Sequence, residues 1–356
     1  MKLTNIIVGL GVVAQAFISK VMAINTTDLA KISAVGTQTN DAMTSWAFCS
    51  QLLTDRTEGL LSYDEFYTEE HLIEYNQVYQ CINNAPKESV FFDNLALRDR
   101  DTRRWLDEYM SKFSADDIQL VILGGSSGYE RAGEKYNKLL LTLKGLIEEG
   151  FKRDIKIHVM GGAGPDAMEA AGVGPWLSGR SEGDTAAAIA GLAQVPKYVE
   201  HDWIKTGIEG REKYPRMLPG ENLAITTYAY AYSPPMPYAD VYASFSTDMI
   251  RGYEMLTRTK VRLIMPGGKG TFLEKSMDDL LRTYNKCCSD TVTIFFDSKF
   301  WKKNLSPIML SENLHFADTP EEVISHVLDH MSLAASQSSH PECANDDTAQ
   351  SNSYRI

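Results

Sequence analysis

The chain has 356 residues, 44% of them hydrophobic, and 35 Lys and Arg against 47 Asp and Glu give it a formal net charge of -12. That length, with a mean hydropathy of -0.24, describes one large globular α/β unit with an extension, and a pI near 5.1 excludes a general binder of nucleic acid or anionic membrane. The five cysteines, Cys49, Cys81, Cys287, Cys288 and Cys343, form neither a CxxC pair nor a His/Cys ligand spacing. Neither a metal site nor a disulfide framework is therefore expected, and Cys287-Cys288 reads as two half-buried thiols at a helix end.

Residues 2–23 admit three readings. Lys2, the apolar run from Ile6 to Ala14 and the end Val21-Met22-Ala23 have the charge, core and small-residue finish of a secretory signal. Gln15 and Lys20 interrupt the run, which is too short for a stable membrane span. The same stretch spells strand, Gly9-x-Gly11-x-x-Ala14, helix, a dinucleotide fingerprint without the acidic residue that would hold a ribose. The third reading is an ordinary strand or helix of the extension. A cytoplasmic location is expected, with export following only if the segment is a signal.

From Asn25 to about Ala115 the chain is polar, helical in pattern and rich in acidic and aromatic residues, as in Ser62 to His71, and it holds no catalytic constellation. It reads as a helical extension packing on the main domain or on a partner. Arg98-Asp99-Arg100-Asp101-Thr102-Arg103-Arg104 reads as a solvated helix face, an anion-reaching arginine cluster being the alternative.

At Ile118–Leu123 the pattern becomes a continuous apolar strand, followed by Gly124-Gly125-Ser126-Ser127-Gly128 and a helix ending at Gly150. A second unit runs from the strand Ile155–Met160 through Gly161-Gly162-Ala163-Gly164-Pro165-Asp166 into a helix with Met168 and Glu169, where Asp166 reads as an N-cap. Strand, glycine loop and helix in succession is the logic of a doubly wound, Rossmann-like parallel sheet, whose ligands gather beyond the carboxyl ends of the strands. Gly172 to Pro219 is glycine-rich with a helical island at Thr185–Leu192 and does not fit the alternation. Leu223–Tyr230 alternates as a strand, Ser233–Tyr238 is extended by its prolines, and a helix is expected from about Thr247 to Thr257.

The third unit is the most informative. Lys260–Ile264 reads as a buried strand and Lys275–Leu281 as a helix, and between them lies Met265-Pro266-Gly267-Gly268-Lys269-Gly270-Thr271-Phe272-Leu273-Glu274. Three glycines in four positions let the backbone present its N–H groups to an oxyanion, and the helix behind adds orphan donors and a positive dipole end. Glu274 is expected in the first turn of that helix. Beyond it, Thr291–Phe296 reads as a strand, Thr319 to Ile324 as a capped helix with Pro320 at its first turn, and the tail from Ser336 as disordered.

Pro266-Gly267-Gly268-Lys269-Gly270-Thr271-x-x-Glu274 satisfies the PGGxGTxxE signature, and Arg251 stands fifteen positions before its proline, with Met255 and Leu256 following. Through these residues the chain resembles the LOG (Lonely Guy) family of cytokinin riboside 5'-monophosphate phosphoribohydrolases, proteins often mislabelled lysine decarboxylases. Residues 162–170 resemble the GGGPGxMEA loop of its longer members, the nucleotide 5'-monophosphate nucleosidases, and Met236-Pro237-Tyr238 their NPY segment. The resemblance covers roughly Ile118 to Met331. The chain departs from the pattern at Gly252, where the family has Lys, and at Ala163 and Asp166, where it has glycine.

The resemblance implies hydrolysis of the N-glycosidic bond of a nucleoside 5'-monophosphate, without metal or organic cofactor, in a homodimer with the pocket near the subunit interface. It implies Arg251 and Glu274 as catalytic residues. Gly124, Ser126, Gly162, Gly164, Met168, Glu169, Gly267, Gly268, Lys269, Gly270 and Thr271 would bind substrate and its phosphate. For Ser126 helix capping is the alternative, for Glu169 a first-turn helix carboxylate, and for Met168 a pocket wall. A decarboxylase would need a Schiff-base lysine with its partners, which is not visible, and the Gly-x-x-x-x-Gly-Lys-Ser/Thr order of a triphosphatase loop is not met. The expected organisation is a largely helical extension over 1–115, a nucleotide-binding domain over 116–335 and a tail over 336–356. A non-catalytic nucleotide-binding protein on the same fold remains the alternative function.

Overall fold

The structure, a computed structural model, describes Cys49, Leu52 and residues 60–84, 89–125, 129–198, 202–230, 234–284, 291–305 and 314–337. The readings placed on residues 2–23, on Cys287-Cys288 and on the tail beyond Gln337 lie outside the described residues.

Three strand, loop and helix units form the centre. They are β2 (Ile118–Leu123) with α4 (Glu134–Lys152), β3 (Ile157–Gly161) with α5 (Ala167–Trp176), and β6 (Val261–Ile264) with α9 (Lys269–Tyr284). With β1 (Leu61–Ser62), β4 (Asn222–Thr227), β5 (Val241–Phe245), β7 (Val292–Phe296) and β8 (Leu314–Ala317) they make one eight-stranded sheet of order β1-β5-β4-β3-β2-β6-β7-β8. Every neighbouring pair is parallel except β1 on β5. From β2 the chain winds outward through β3, β4 and β5 and then returns to start β6 on the other side of β2. That reversal makes the β2/β6 boundary the switch point of a doubly wound α/β fold, where a crevice opens.

Strand side chains alternate between two cores. Ile118, Leu120 and Ile122 join the core under α4, α5 and α11 (Pro320–Gln337), while Val121 and Leu123 join the one under α3 (Ser89–Met110), α8 (Asp248–Thr257) and α10 (Ser298–Asn304). Thr319 and Glu322 close a reciprocal capping box at the start of α11, as its sequence implies.

Several elements differ from their sequence patterns. β4 stops at Thr227 and runs into a 3-10 turn at Tyr228–Tyr230; all six of its residues are buried, so alternation was a poor guide to a strand covered on both faces. Gly172 to Pro219 is helical: α5 continues through Pro175 to Trp176, followed by α6 (Glu182–Leu192) and α7 (Trp203–Lys213). Gly174 serves packing, since a Cβ there would lie 2.4 Å from the Leu140 carbonyl oxygen of α4, while Gly179 turns the chain at a φ of 83°.

The N-terminal region is built into this frame. Ser62 caps α1 (Tyr63–Phe66) through a capping box with Glu65, and β1 pairs antiparallel with the edge strand β5. Phe66 stacks on Tyr242 at 4.3 Å, and α2 (Glu69–Asn84) and α3 lie against the sheet. The Arg98–Arg104 face is only partly solvated. Asp99 accepts hydrogen bonds from the backbone N–H (2.8 Å) and hydroxyl of Ser246, and Arg103 donates to Glu254 at 2.7 Å, while Arg100 and Arg104 are exposed.

Contrary to the expectation from cysteine spacing, Cys49 and Cys81 form a disulfide across 32 positions. Spacing motifs recognise clustered thiols and are silent on a pair brought together only by folding. Closing a loop of that size is worth about 3 to 4 kcal/mol through the unfolded state. Among the described residues, no helix is long and apolar enough to cross a membrane.

Candidate active site

A cavity of about 410 Å³ opens at the carboxyl ends of β2, β3, β4 and β6, over the switch point. Gly124 and Gly125 line it from the first loop, Gly162, Ala163, Gly164, Pro165 and Met168 from the second, and Gly268, Gly270, Thr271 and Glu274 from the third. Arg251 of α8 completes that wall. Ser126 and Ser127 lie outside the described residues.

The first and third loops touch through their backbones. A Cβ on Gly267 would fall 2.0 Å from Thr271 Oγ1 and 2.7 Å from the Gly125 nitrogen, so side chains are excluded and main-chain groups are brought to the cavity floor. Gly267 therefore shapes the site from beneath, and Lys269 is exposed; neither lines the cavity. Above Gly268 and Gly270 the space is open. Helix α9 begins at Lys269 rather than Lys275, because Phe272 N–H already bonds the Gly268 carbonyl at 3.1 Å. The amides at this end lack helical acceptors, as at any helix start, and Gly270 and Thr271 are among the residues that line the cavity. Glu274 consequently sits in the second turn, one turn deeper than its sequence position implies.

Depth gives Glu274 its partner. Arg251 Nη2 donates to Glu274 Oε1 at 3.0 Å and lies 3.4 Å from Asp248 Oδ1; Arg251 and Glu274 are each 8% exposed. Thr247 caps α8 by accepting from Ile250 N–H, which fixes the register that aims Arg251 inward. Burial raises the Glu274 pKa, Asp248 adds to the rise, and the Arg251 guanidinium opposes it. Arg251 Nε has no hydrogen-bond partner among the described residues. The second loop approaches the same guanidinium closely: a Cβ on Gly162 would lie 2.9 Å from Arg251 Nη1. Gly252 brings α8 against α9, since a Cβ there would meet Met277 Cε at 2.4 Å.

Glu169 is not in the cavity. Its carboxylate takes two hydrogen bonds from Arg131, one of them from Nε at 2.7 Å, and a third from Tyr136 at 3.2 Å, in full burial beneath the second loop. Arg131 in turn lies over the Trp203 ring at 4.3 Å. Asp166 occupies the N-cap position of α5, as its sequence implies, but at a φ of 63° and without a side-chain capping hydrogen bond. Its pKa is raised to about 7 by burial, with Glu169 and Glu130 adding and Arg131 opposing.

Ala163 and Asp166 occupy positive φ, 53° and 63°, so the loop keeps a glycine conformation with residues that resist it. Ala163→Gly and Asp166→Gly are each expected to stabilise the fold by about 1 kcal/mol, measured by denaturant midpoint. For Asp166→Gly the gain grows with pH. A raised folded-state pKa contributes stability at acid pH that is lost as pH rises from the ordinary carboxylate range through about 7, and the variant has no such loss. A gain that does not change between pH 4 and pH 8 would contradict the burial of this carboxyl.

Among the lining residues that carried no site signal in the sequence are Tyr75 of α2, Tyr198, Thr226, Thr227, Pro234 and Pro235. The two prolines adjoin Met236-Pro237-Tyr238, which is the one local hint. Among the described residues no group of three or more His, Cys, Asp or Glu converges as metal ligands would. The described cavity is thus lined by the start of α9, by a buried carboxylate–guanidinium pair, and by tyrosine, threonine and proline residues.

No protein-family model and no curated protein sequence matches the chain. Among solved structures, the X-ray structure of TM1055, a structural-genomics target, aligns with 60% of this chain and 99% of its own at 14% identity. Its TM-score is 0.35, a likeness too loose to bear on the site.

Proposed function

We propose that this protein hydrolyses the N-glycosidic bond of a nucleoside 5'-monophosphate, releasing the free base and ribose 5-phosphate. The observation that carries the reading is the Arg251–Glu274 pair at 3.0 Å in one cavity with Gly268, Gly270 and Thr271 at the start of α9. The amides and the α9 dipole hold the phosphate. That anchor sets the ribose against Glu274, whose carboxylate opposes the positive charge that develops on the sugar as the C1'–N bond breaks. Water adds its oxygen to C1' and gives up a proton, and the base leaves with the bonding electron pair and takes up a proton. Arg251 stays protonated at ordinary pH, so its part is to orient Glu274 and to hydrogen-bond substrate rather than to donate a proton.

A cavity of about 410 Å³ lies in the size range of small-ligand pockets. A panel of nucleoside 5'-monophosphates, assayed for reducing-sugar release, tests the reading; no turnover of any member sinks it. If monophosphates bind saturably without product, the protein is instead a nucleotide-binding module. Asp166, close to the second loop's helix pole, is the feature that favours this second reading.

A homodimer is part of the same proposal. Met249 and Tyr253 of α8, with Leu273, Leu280 and Tyr284 of α9, are exposed large apolar side chains at helical spacing on two packed helices next to the site. Light scattering is expected to give the mass of two chains, and Leu280→Glu to give one; a wild-type monomer at micromolar concentration would refute it.

A further inference from the structure

The proposed phosphate cradle and the Arg251–Glu274 pair account for part of the cavity lining. Tyr75, Tyr198, Thr226, Thr227, Pro234 and Pro235, none of which carries a formal charge, also line it. Two of these walls depend on the N-terminal region. Tyr75 comes from α2 itself, is 2% exposed, and its hydroxyl lies 3.3 Å from both Thr226 Oγ1 and the Thr227 carbonyl oxygen at the end of β4. Pro235 is held from the other side, its carbonyl accepting from the hydroxyl of Tyr67 at the end of α1. The next residue, Met236, donates its N–H to the Ala163 carbonyl at 2.7 Å and accepts from Tyr242 Oη at 3.1 Å. The proline segment is therefore pinned between the second glycine loop and residues of the N-terminal region.

We infer that residues 61–84 set which base the site accepts, with Tyr75 as the specificity-determining residue. The inference rests on the nucleotide reading above. With the phosphate on α9 and the ribose at Glu274, the remaining volume belongs to the leaving group, and its lining fits a neutral planar heterocycle. Tyrosine and proline faces cover the ring, and hydroxyls meet its edge. The Tyr75 hydroxyl stands at the end of β4, where Thr226 and Thr227 also line the cavity, so a change of this side chain alters the lining there. The central strands would be unchanged by a different N-terminal region, while the base pocket would not.

The test uses the full chain carrying Glu274→Gln, so that ligand is not consumed, and calorimetry with AMP, GMP, CMP, UMP and ribose 5-phosphate. Tyr75→Phe removes only the hydroxyl, and Tyr75→Leu removes the ring while keeping apolar volume; thermal midpoints identify variants that fail to fold. The expected result is a change of at least about fivefold in the ratios among the four nucleotides, while the ribose 5-phosphate constant stays within about twofold. Ribose 5-phosphate weakening in step with the nucleotides, or no change in any ratio for either variant, overturns the inference alone. If the Glu274→Gln parent binds none of the five ligands, the nucleotide reading fails and this inference with it.

Discussion

Glu274→Gln is expected to lower kcat/KM for every nucleoside 5'-monophosphate the protein turns over by about 10³-fold or more, with an unchanged circular-dichroism spectrum and thermal midpoint. Glutamine has the shape of glutamate and can still accept from Arg251 through its amide oxygen. What it loses is the negative charge opposed to the oxocarbenium-like sugar. The loss should fall on kcat rather than on substrate affinity, because the phosphate is held by amides that the substitution does not touch. Arg251→Ala is expected to cost about 10²-fold or more and to weaken binding as well. It removes a donor to substrate and the one group that lowers the Glu274 pKa against burial and Asp248. Since that pKa is raised, the acid limb of the kcat/KM profile should lie above the ordinary glutamate range, and in Arg251→Ala higher still. Full activity in Glu274→Gln would remove the chemical basis of the proposal even if monophosphates bind.

Glu169→Ala is expected to destabilise the protein by about 3 to 5 kcal/mol, because it strands the Arg131 guanidinium with its charge buried. The carboxylate is fully buried, and all three of its hydrogen bonds come from Arg131 and Tyr136. The family resemblance points Glu169 at a ribose; the packing points it at Arg131. Urea denaturation of Glu169→Ala, and of Glu169→Leu combined with Arg131→Met, separates the two. A buried pair replaced on both sides by apolar groups of similar volume should recover most of the loss. A stable Glu169→Ala protein with its turnover abolished would return this residue to the substrate.

The Cys49–Cys81 bridge also bears on where the chain works. Disulfides persist in oxidising compartments and are rare in the cytosol. Sequencing the N-terminus of the mature protein decides whether residues 2–23 are removed, as the signal reading of that segment requires.

The three strand and glycine-loop units and the helix that carries Arg251 were legible without coordinates. Each is a short-range pattern in which residue type fixes backbone geometry within a few positions. Helix starts were less legible. Gly268 and Gly270 read as turn residues, yet α9 begins between them, and that moves Glu274 from the rim into the buried position where Arg251 meets it. The glycines after residue 171 misled for the opposite reason, since in α5 they admit a neighbouring helix rather than break their own.

By itself, then, the sequence determined the doubly wound class and the three glycine loops at the strand ends, because those follow from local backbone preference and hydrophobic periodicity. Tertiary structure alone decided that Glu169 pairs with Arg131 across 38 positions, that Cys49 reaches Cys81, and that Tyr75 reaches Thr226 across 151 to close the cavity. Partners at those separations are chosen by which faces the sheet buries together. No local pattern encodes that, since the same side chains are equally compatible with a solvated helix.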